Sequence, residues 1–195
     1  MRWIVFDYGE VISHPSEELP RLAALLGVAD VGEAYWRHRD AYDRGLSDEA
    51  YWALVGAEHG LDVGPELAGR LAEVDRDGWM RPSGESVALI GELASAGVPL
   101  ALLSNAASSF GRAVERQAWT RHFRHLVFSG DLGVIKPDPE VWRLLAERLG
   151  VEPGDCVFLD DRQVNVDGAV AAGMSGLLWR GVADARERLV GLGVL

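Results

Sequence analysis

The chain has 195 residues, of which 48% are hydrophobic and 25% charged; this composition excludes a disordered chain, and no apolar run approaches the length of a membrane span. Thirty acidic against nineteen basic residues give a net charge of -11, which repels nucleic acid and anionic membrane surfaces, so neither is expected as a partner. A small phosphorylated metabolite stays open, because a divalent cation and one lysine reverse the potential locally.

The length suits one ordinary domain, or a core domain carrying a smaller insertion. The single cysteine, Cys156, excludes an internal disulfide and fits a reducing compartment. Met1 leads straight towards a strand, without the charged lead and apolar region of a secretory signal. A cytoplasmic monomer or homodimer is expected.

The first element is an apolar run from Trp3 to Phe6 that stops at an acid, Asp7. Such runs read as strands covered on both faces, the usual state in a parallel sheet, where ligands bind beyond the carboxyl ends. Ser13, His14, Pro15 and Ser16 supply turn chemistry, and residues from about Glu17 to Trp79 then read as helices. Ser47 is placed to cap a helix that starts with Asp48 and Glu49. Tyr35, Trp36, Tyr51 and Trp52 in this segment are read as core residues packing helix on helix. His38, flanked by Arg37 and Arg39, reads as a solvated helix face, with a basic cap surface opposite a phosphate site, acting as a specificity element, as the other reading.

From Arg81 onward helices and strands alternate. A helix begins at Pro82 and Ser83 and runs to about Ala96, and a strand from Val98 to Leu103 ends at Ser104-Asn105. A helix from about Ala107 to Gln117 precedes a short strand at Leu126 to Phe128. A loop then carries Lys136-Pro137-Asp138-Pro139 into a helix from Glu140 to Leu149. The strand Cys156 to Leu159 ends in Asp160-Asp161, with Cys156 itself read as a small buried hydrophobe. A helix from about Val166 to Ala172, a strand at Gly176 to Trp179 and a helix from about Ala183 to Leu192 complete the chain. Five strands alternating with helices predict an α/β fold with a doubly wound, Rossmann-like parallel sheet. The helical block interrupts it as an inserted cap. Residues 1–14 and 81–195 are assigned to the core and 15–80 to the cap.

In a parallel sheet the strand ends share one edge, so Asp7, Ser104 with Asn105, and Asp160 with Asp161 would converge there, joined by Lys136 from a loop. Carboxylates of this kind can hold Mg²⁺, a hard ion that takes oxygen ligands and keeps sites for water and phosphate. The Ser104 hydroxyl can donate to phosphate oxygens, and Lys136 adds positive charge between carboxylates and phosphate. An aspartate attacking a phosphate needs that neutralisation, and attack by Asp7 would split hydrolysis into two easier steps through an aspartyl phosphate. The histidines show no zinc-ligand spacing.

The stretches Val5-Phe6-Asp7-Tyr8-Gly9-Glu10-Val11-Ile12, Leu102-Leu103-Ser104-Asn105, Gly133-Val134-Ile135-Lys136-Pro137-Asp138 and Phe158-Leu159-Asp160-Asp161 with Asn165 resemble the four ordered motifs of the haloacid dehalogenase-like hydrolase superfamily. The likeness is closer to its small sugar-phosphate phosphatases and to the N-terminal phosphatase domain of epoxide hydrolases. The resemblance implies a Rossmann-like core with a helical cap after the first strand. It makes Asp7 the nucleophile and a metal ligand, Gly9 a ligand through its carbonyl, and Asp161 the second side-chain ligand. Asp160 would lie beside the metal and Asn165 would support the metal shell. Ser104 and the backbone at Asn105 would bind phosphate, and Lys136 would neutralise charge.

One position departs from the pattern. Most phosphatases of the superfamily carry a general acid-base aspartate two residues after the nucleophile, where this chain has Gly9; such a group contributes ~10²- to 10⁴-fold. Glu10 is the nearest acid to replace it. The expected function is a Mg²⁺-dependent phosphatase acting on a small phosphate monoester. The alternatives are a dehalogenase using the same aspartate, or a protein that binds its ligand without turning it over.

Overall fold

The computed structural model describes residues 2–195. Strands β1 (Trp3–Phe6), β2 (Leu100–Ser104), β3 (His125–Phe128), β4 (Cys156–Asp160) and β5 (Ser175–Leu178) form one sheet in the order β3-β2-β1-β4-β5. All four neighbouring pairs are parallel, with Val5 in register with Ala101 on one side and Phe158 on the other. Successive strand residues point to opposite faces, and the apolar runs divide accordingly. Ile4, Phe6, Leu102 and Leu159 enter one core layer, and Val5, Leu103, Cys156 and Phe158 the other. Both faces are covered by helices, which is why the strands show unbroken rather than alternating hydrophobicity. Cys156 is fully buried, as expected of a small hydrophobe.

Helices α1 (Leu19–Leu26), α2 (Gly32–Arg37), α3 (Arg39–Asp43), α4 (Asp48–Ala57) and α5 (Pro65–Trp79) all fall between β1 and α6 (Gly84–Ser95). They enclose a third cluster built around Leu22, Tyr35, Tyr51, Trp52 and Leu71. Ser47 caps α4 by accepting from the Ala50 N–H at 3.2 Å. The remaining helices, α7 (Ser108–Val114), α8 (Ser129–Leu132), α9 (Pro139–Leu149), α10 (Gln163–Ala171) and α11 (Val182–Gly191), alternate with the strands. No helix among the described residues is long and apolar enough to cross a membrane.

Several boundaries differ from the sequence expectation. β2 starts at Leu100 rather than Val98, and α10 starts at Gln163 rather than Val166. The helix expected to reach Gln117 ends at Val114, and a short 3-10 segment, Ala118–His122, follows it.

The helical block meets the core in two places. Its entry and exit run side by side, with Ser13 bridged to Pro82 and the His14 N–H bonded to the Arg81 carbonyl at 2.9 Å. On the far side, the Ser129 hydroxyl donates to the Asp43 carbonyl at 2.5 Å, Ser109 donates to Asp48 at 2.7 Å, and Arg44 pairs with Asp138 at 2.7 Å. There the backbone passes so close that a Cβ on Gly45, whose φ is 104°, would lie 2.7 Å from the Gly130 carbonyl oxygen. Only glycine fits that approach and that left-handed angle.

Candidate active site

The sheet doubles back between β1 and β4: the chain builds outward from β1 through β2 to β3, then returns to place β4 on the other side of β1. Ligands bind at such a switch point, beyond the carboxyl ends of the strands. Asp7 follows β1, Asp160 ends β4 and Asp161 follows it, so all three acids flank that point.

Seven of the eight sequence-predicted residues line a single cavity of about 340 Å³: Asp7, Gly9, Ser104, Asn105, Lys136, Asp161 and Asn165. The eighth, Asp160, is completely buried and holds two of them. Its Oδ2 accepts from Lys136 Nζ at 2.8 Å and from Asn165 Nδ2 at 3.1 Å, while Oδ1 takes the Arg162 N–H at 2.8 Å and Asn165 Nδ2 at 3.0 Å. Lys136 Nζ also donates to Asp7 Oδ1 at 2.5 Å and to the Leu103 carbonyl at 3.1 Å. A lysine with 1% of its side chain exposed is thus fully paired, as burial of its charge demands.

The Asn105 side chain has a role that sequence reasoning missed. Its Nδ2 donates to the Lys136 carbonyl at 2.9 Å and its Oδ1 accepts the Lys136 N–H at 2.8 Å. This two-way clasp fastens the loop that carries the lysine to the end of β2. The signal was an amide beside Ser104, but the partner lies 31 positions away and no local pattern identifies it.

Charge in the site is unbalanced. Burial drives the Asp7 carboxyl from its ordinary 3.8 up to about 7; Lys136 opposes the rise and the Asp160 charge adds to it. Asp161 is raised to about 6, by burial first and then by the charges of Asp160 and Glu10. Burial works against the Lys136 charge too, but Asp7 and Asp160 overcome it and hold its pKa above the ordinary 10.5. Oxygens of Asp7, Asp160 and Asp161 come within 4.8 Å of one another. Three carboxylates against one ammonium create the electrostatic demand that a divalent cation meets.

Glu10 adopts a left-handed backbone, φ 56°, rare for a residue with a side chain. At Gly9 there is room for more: a Cβ there would meet only Trp79 Cζ3, at 3.7 Å.

The helical block closes the opposite wall with Trp36, Arg39, Asp40, Asp43 and Trp79. Two sequence expectations are corrected here. Tyr35, Tyr51 and Trp52 are core residues, but Trp36 is 53% exposed, because it lies about a quarter turn round α2 from the face that Ala34 and Tyr35 bury. The basic run is not one solvated face either. Arg37 and His38 pair with Glu58, whereas Arg39, with 13% of its side chain exposed, turns inward against Asp43 at 3.1 Å and Asp75 at 3.2 Å and also donates to the Tyr35 hydroxyl. Burial opposes the Arg39 charge, yet Asp43, Tyr35 and Asp75 keep its pKa well above ordinary.

The chain is similar to several known proteins. Flavin mononucleotide hydrolase 1 of Arabidopsis thaliana is 44% identical over 62 residues, a match spanning 32% of this chain but only 25% of that protein. (S)-2-haloacid dehalogenase 1 of Pseudomonas sp. (strain CBS-3) is 26% identical over 189 residues, covering 90% of this chain and 82% of that one. A HAD family enzyme of Bacteroides thetaiotaomicron, solved in complex with magnesium and inorganic phosphate, has the same fold, with a TM-score of 0.70 at 16% identity over 91% of this chain and 93% of that one. A family model, haloacid dehalogenase-like hydrolase, matches residues 1–173. The chain therefore belongs to the haloacid dehalogenase-like hydrolases.

Proposed function

We propose that the protein is a Mg²⁺-dependent phosphatase that cleaves a small phosphate monoester through an aspartyl phosphate on Asp7. The observation that carries this reading is the Lys136 ammonium bonded to both Asp7 and Asp160, with Asp161 close enough for the three carboxylates to share one cation. The flavin mononucleotide hydrolase and the magnesium- and phosphate-bound neighbour support it.

The donor set fits Mg²⁺: it is made of oxygens, it carries excess negative charge, and it is not an array of histidine and cysteine. Asp7 and Asp161 would hold the ion by their side chains and Gly9 by its carbonyl, while Asp160 keeps Lys136 and Asn165 in place beside them. When bound, the ion supplies positive charge against the nucleophile and the phosphate oxygens.

The chain's own residues account for the rest. Lys136 stays protonated at neutral pH, holds the Asp7 carboxylate by Oδ1 and lowers the repulsion between that anion and an incoming phosphate. The Ser104 hydroxyl and the backbone at Asn105 lie at the end of β2 on the cavity wall, where they can donate to phosphate oxygens. An Asp7 oxygen bonds to phosphorus as the ester P–O bond breaks, and the departing alkoxide takes up a proton from solvent water. Water then attacks the aspartyl phosphate, releasing inorganic phosphate and restoring Asp7.

The test is phosphate release from a panel of sugar, nucleotide and flavin monophosphates, with Mg²⁺ and with EDTA, for the native protein and Asp7→Asn. Release that survives the substitution refutes the assignment. The full-length similarity to a 2-haloacid dehalogenase favours a second reading, displacement of halide by the same aspartate. Halide release from 2-chloropropionate that persists in EDTA, with no phosphate release, would replace the first reading by the second.

A further inference from the structure

The catalytic cavity adjoins a second one of about 90 Å³, and the two share Glu10, Trp36 and Trp79. This side cavity is otherwise framed largely by apolar residues, Pro15, Leu19 and Leu22 among them. Trp36 stands at the junction with 53% of its surface exposed, although it is a large apolar residue beside a packed core.

Both indoles are held in place by one residue. The Trp36 ring meets the Tyr35 ring edge-on, at 4.8 Å and 87°. The Trp79 Nε1–H donates to the Tyr35 hydroxyl at 3.1 Å, and that hydroxyl donates to Asp75 at 2.7 Å. Tyr35 itself is 2% exposed, so the two tryptophans sit on a buried, fully bonded support.

The hydrogen-bond donors on this wall are already used. The Tyr8 hydroxyl donates to the Trp79 carbonyl at 2.9 Å, Trp79 Nε1 is spent on Tyr35, and Arg39 is spent on Asp43, Asp75 and Tyr35. Hydroxyl-rich leaving groups would therefore find few free donors here. Glu10 and Asp40 leave this side of the cavity acidic, while the one exposed cation of the lining, Arg162, follows β4 at the sheet edge beside the phosphate end, so a second phosphate against the helical wall would meet repulsion. What remains is aromatic surface, which recognises planar rings by stacking.

We infer that this wall seats a planar aromatic ring carried by the leaving group, so that the substrate is a monophosphate ester of a ring-bearing alcohol with no second phosphate. The inference rests on the phosphatase reading. Phosphate would sit against Lys136 and Ser104, and the ring would lie between the helical block and the sheet edge against Trp36 and Trp79.

The test compares kcat/KM for esters with similar primary-alcohol leaving groups. Pyridoxal 5′-phosphate and purine nucleoside 5′-monophosphates carry rings; glycerol 3-phosphate and glucose 6-phosphate do not. Acetyl phosphate, which needs no leaving-group recognition, reports the phosphoryl chemistry alone. The native enzyme should favour the ring esters by at least about tenfold, and Trp36→Ala should lower the ring to non-ring ratio by about tenfold while Trp36→Phe restores most of it. Asp7-dependent release from acetyl phosphate with no ring preference, or an equal loss on all esters in Trp36→Ala, overturns the inference and leaves the phosphatase reading standing. No release from any ester, acetyl phosphate included, overturns both.

Discussion

Replacing Asp7 by asparagine should abolish phosphate release and, in the metal-free protein, raise stability at high pH. The folded-state pKa of Asp7 is raised from 3.8 to about 7, chiefly by burial. Between these values the folded protein binds a proton that the unfolded chain has released, so stability falls as pH rises through that window. The penalty is absent below pH ~4 and fully present above pH ~7; at about 1.4 kcal/mol per pK unit it reaches ~4 kcal/mol. Asparagine removes the charge and keeps an oxygen that can accept from Lys136, but Lys136 then loses one of its two anionic partners. That loss is already counted, because the raised Asp7 pKa is net of the attraction to Lys136, so the net gain stays at ~4 kcal/mol. For a chain of this length such a gain raises Tm by roughly 8–16 °C.

The assay is thermal unfolding of both proteins in EDTA at pH 8 and pH 4.5. At pH 4.5 the native Asp7 is mostly protonated, and the two melting temperatures should nearly coincide. Adding Mg²⁺ at pH 8 should stabilise the native protein far more than the variant. A variant that melts lower than the native protein at pH 8 in EDTA, or one with the same shift at both pH values, refutes the reasoning, because Asp7 would then be held by its interactions rather than strained by its charge.

Restoring an acid at Gly9 offers a second test: a Cβ there would meet only Trp79, at an ordinary contact distance of 3.7 Å. Gly9→Asp should therefore fold normally and raise kcat towards the ~10²- to 10⁴-fold that general acid-base help provides, measured by steady-state phosphate release. Lys136→Met leaves three buried or half-buried acids without their ammonium, and urea unfolding should show a loss of ~3–5 kcal/mol that is larger at pH 8 than at pH 5. Gly45→Ala places a Cβ 2.7 Å from the Gly130 carbonyl oxygen at a φ of 104°. Its expected cost of ~1–3 kcal/mol should appear as faster proteolysis of the α3–α4 connection.

How legible each part was depended on whether its cause is local. Apolar strands ending in acids are a one-dimensional pattern, since burial on both faces and delivery at the carboxyl end are imposed by the parallel sheet itself. Hence Asp7, Ser104 and Asp160 were readable before any contact was known. The Asn105 clasp on Lys136 and the hold of Asp160 on Asn165 were not, because a hydrogen-bond partner is chosen by the tertiary fold. Trp36 and Arg39 failed in opposite directions for one reason. Helical spacing shows that two residues share or oppose a face, but it does not show which face meets the core. In α2 the core took Tyr35 and left Trp36 to the cavity, while the start of α3 turned Arg39 inward between Asp43 and Asp75.

That inversion bears on selectivity. A charged side chain at position 36 and a free arginine at 39 would have made this wall a second anion site. With the Arg39 guanidinium internally neutralised and the indole presented instead, the positive charge lining the cavity comes from the sheet edge, from Lys136 and the exposed Arg162, and from whatever cation the aspartates hold. On the proposed phosphatase reading, the sheet edge then recognises phosphate in general, and discrimination between substrates falls to the helical wall. Exchanging residues on α2 should accordingly change which ester is cleaved, while exchanging residues at the strand ends should change whether any is.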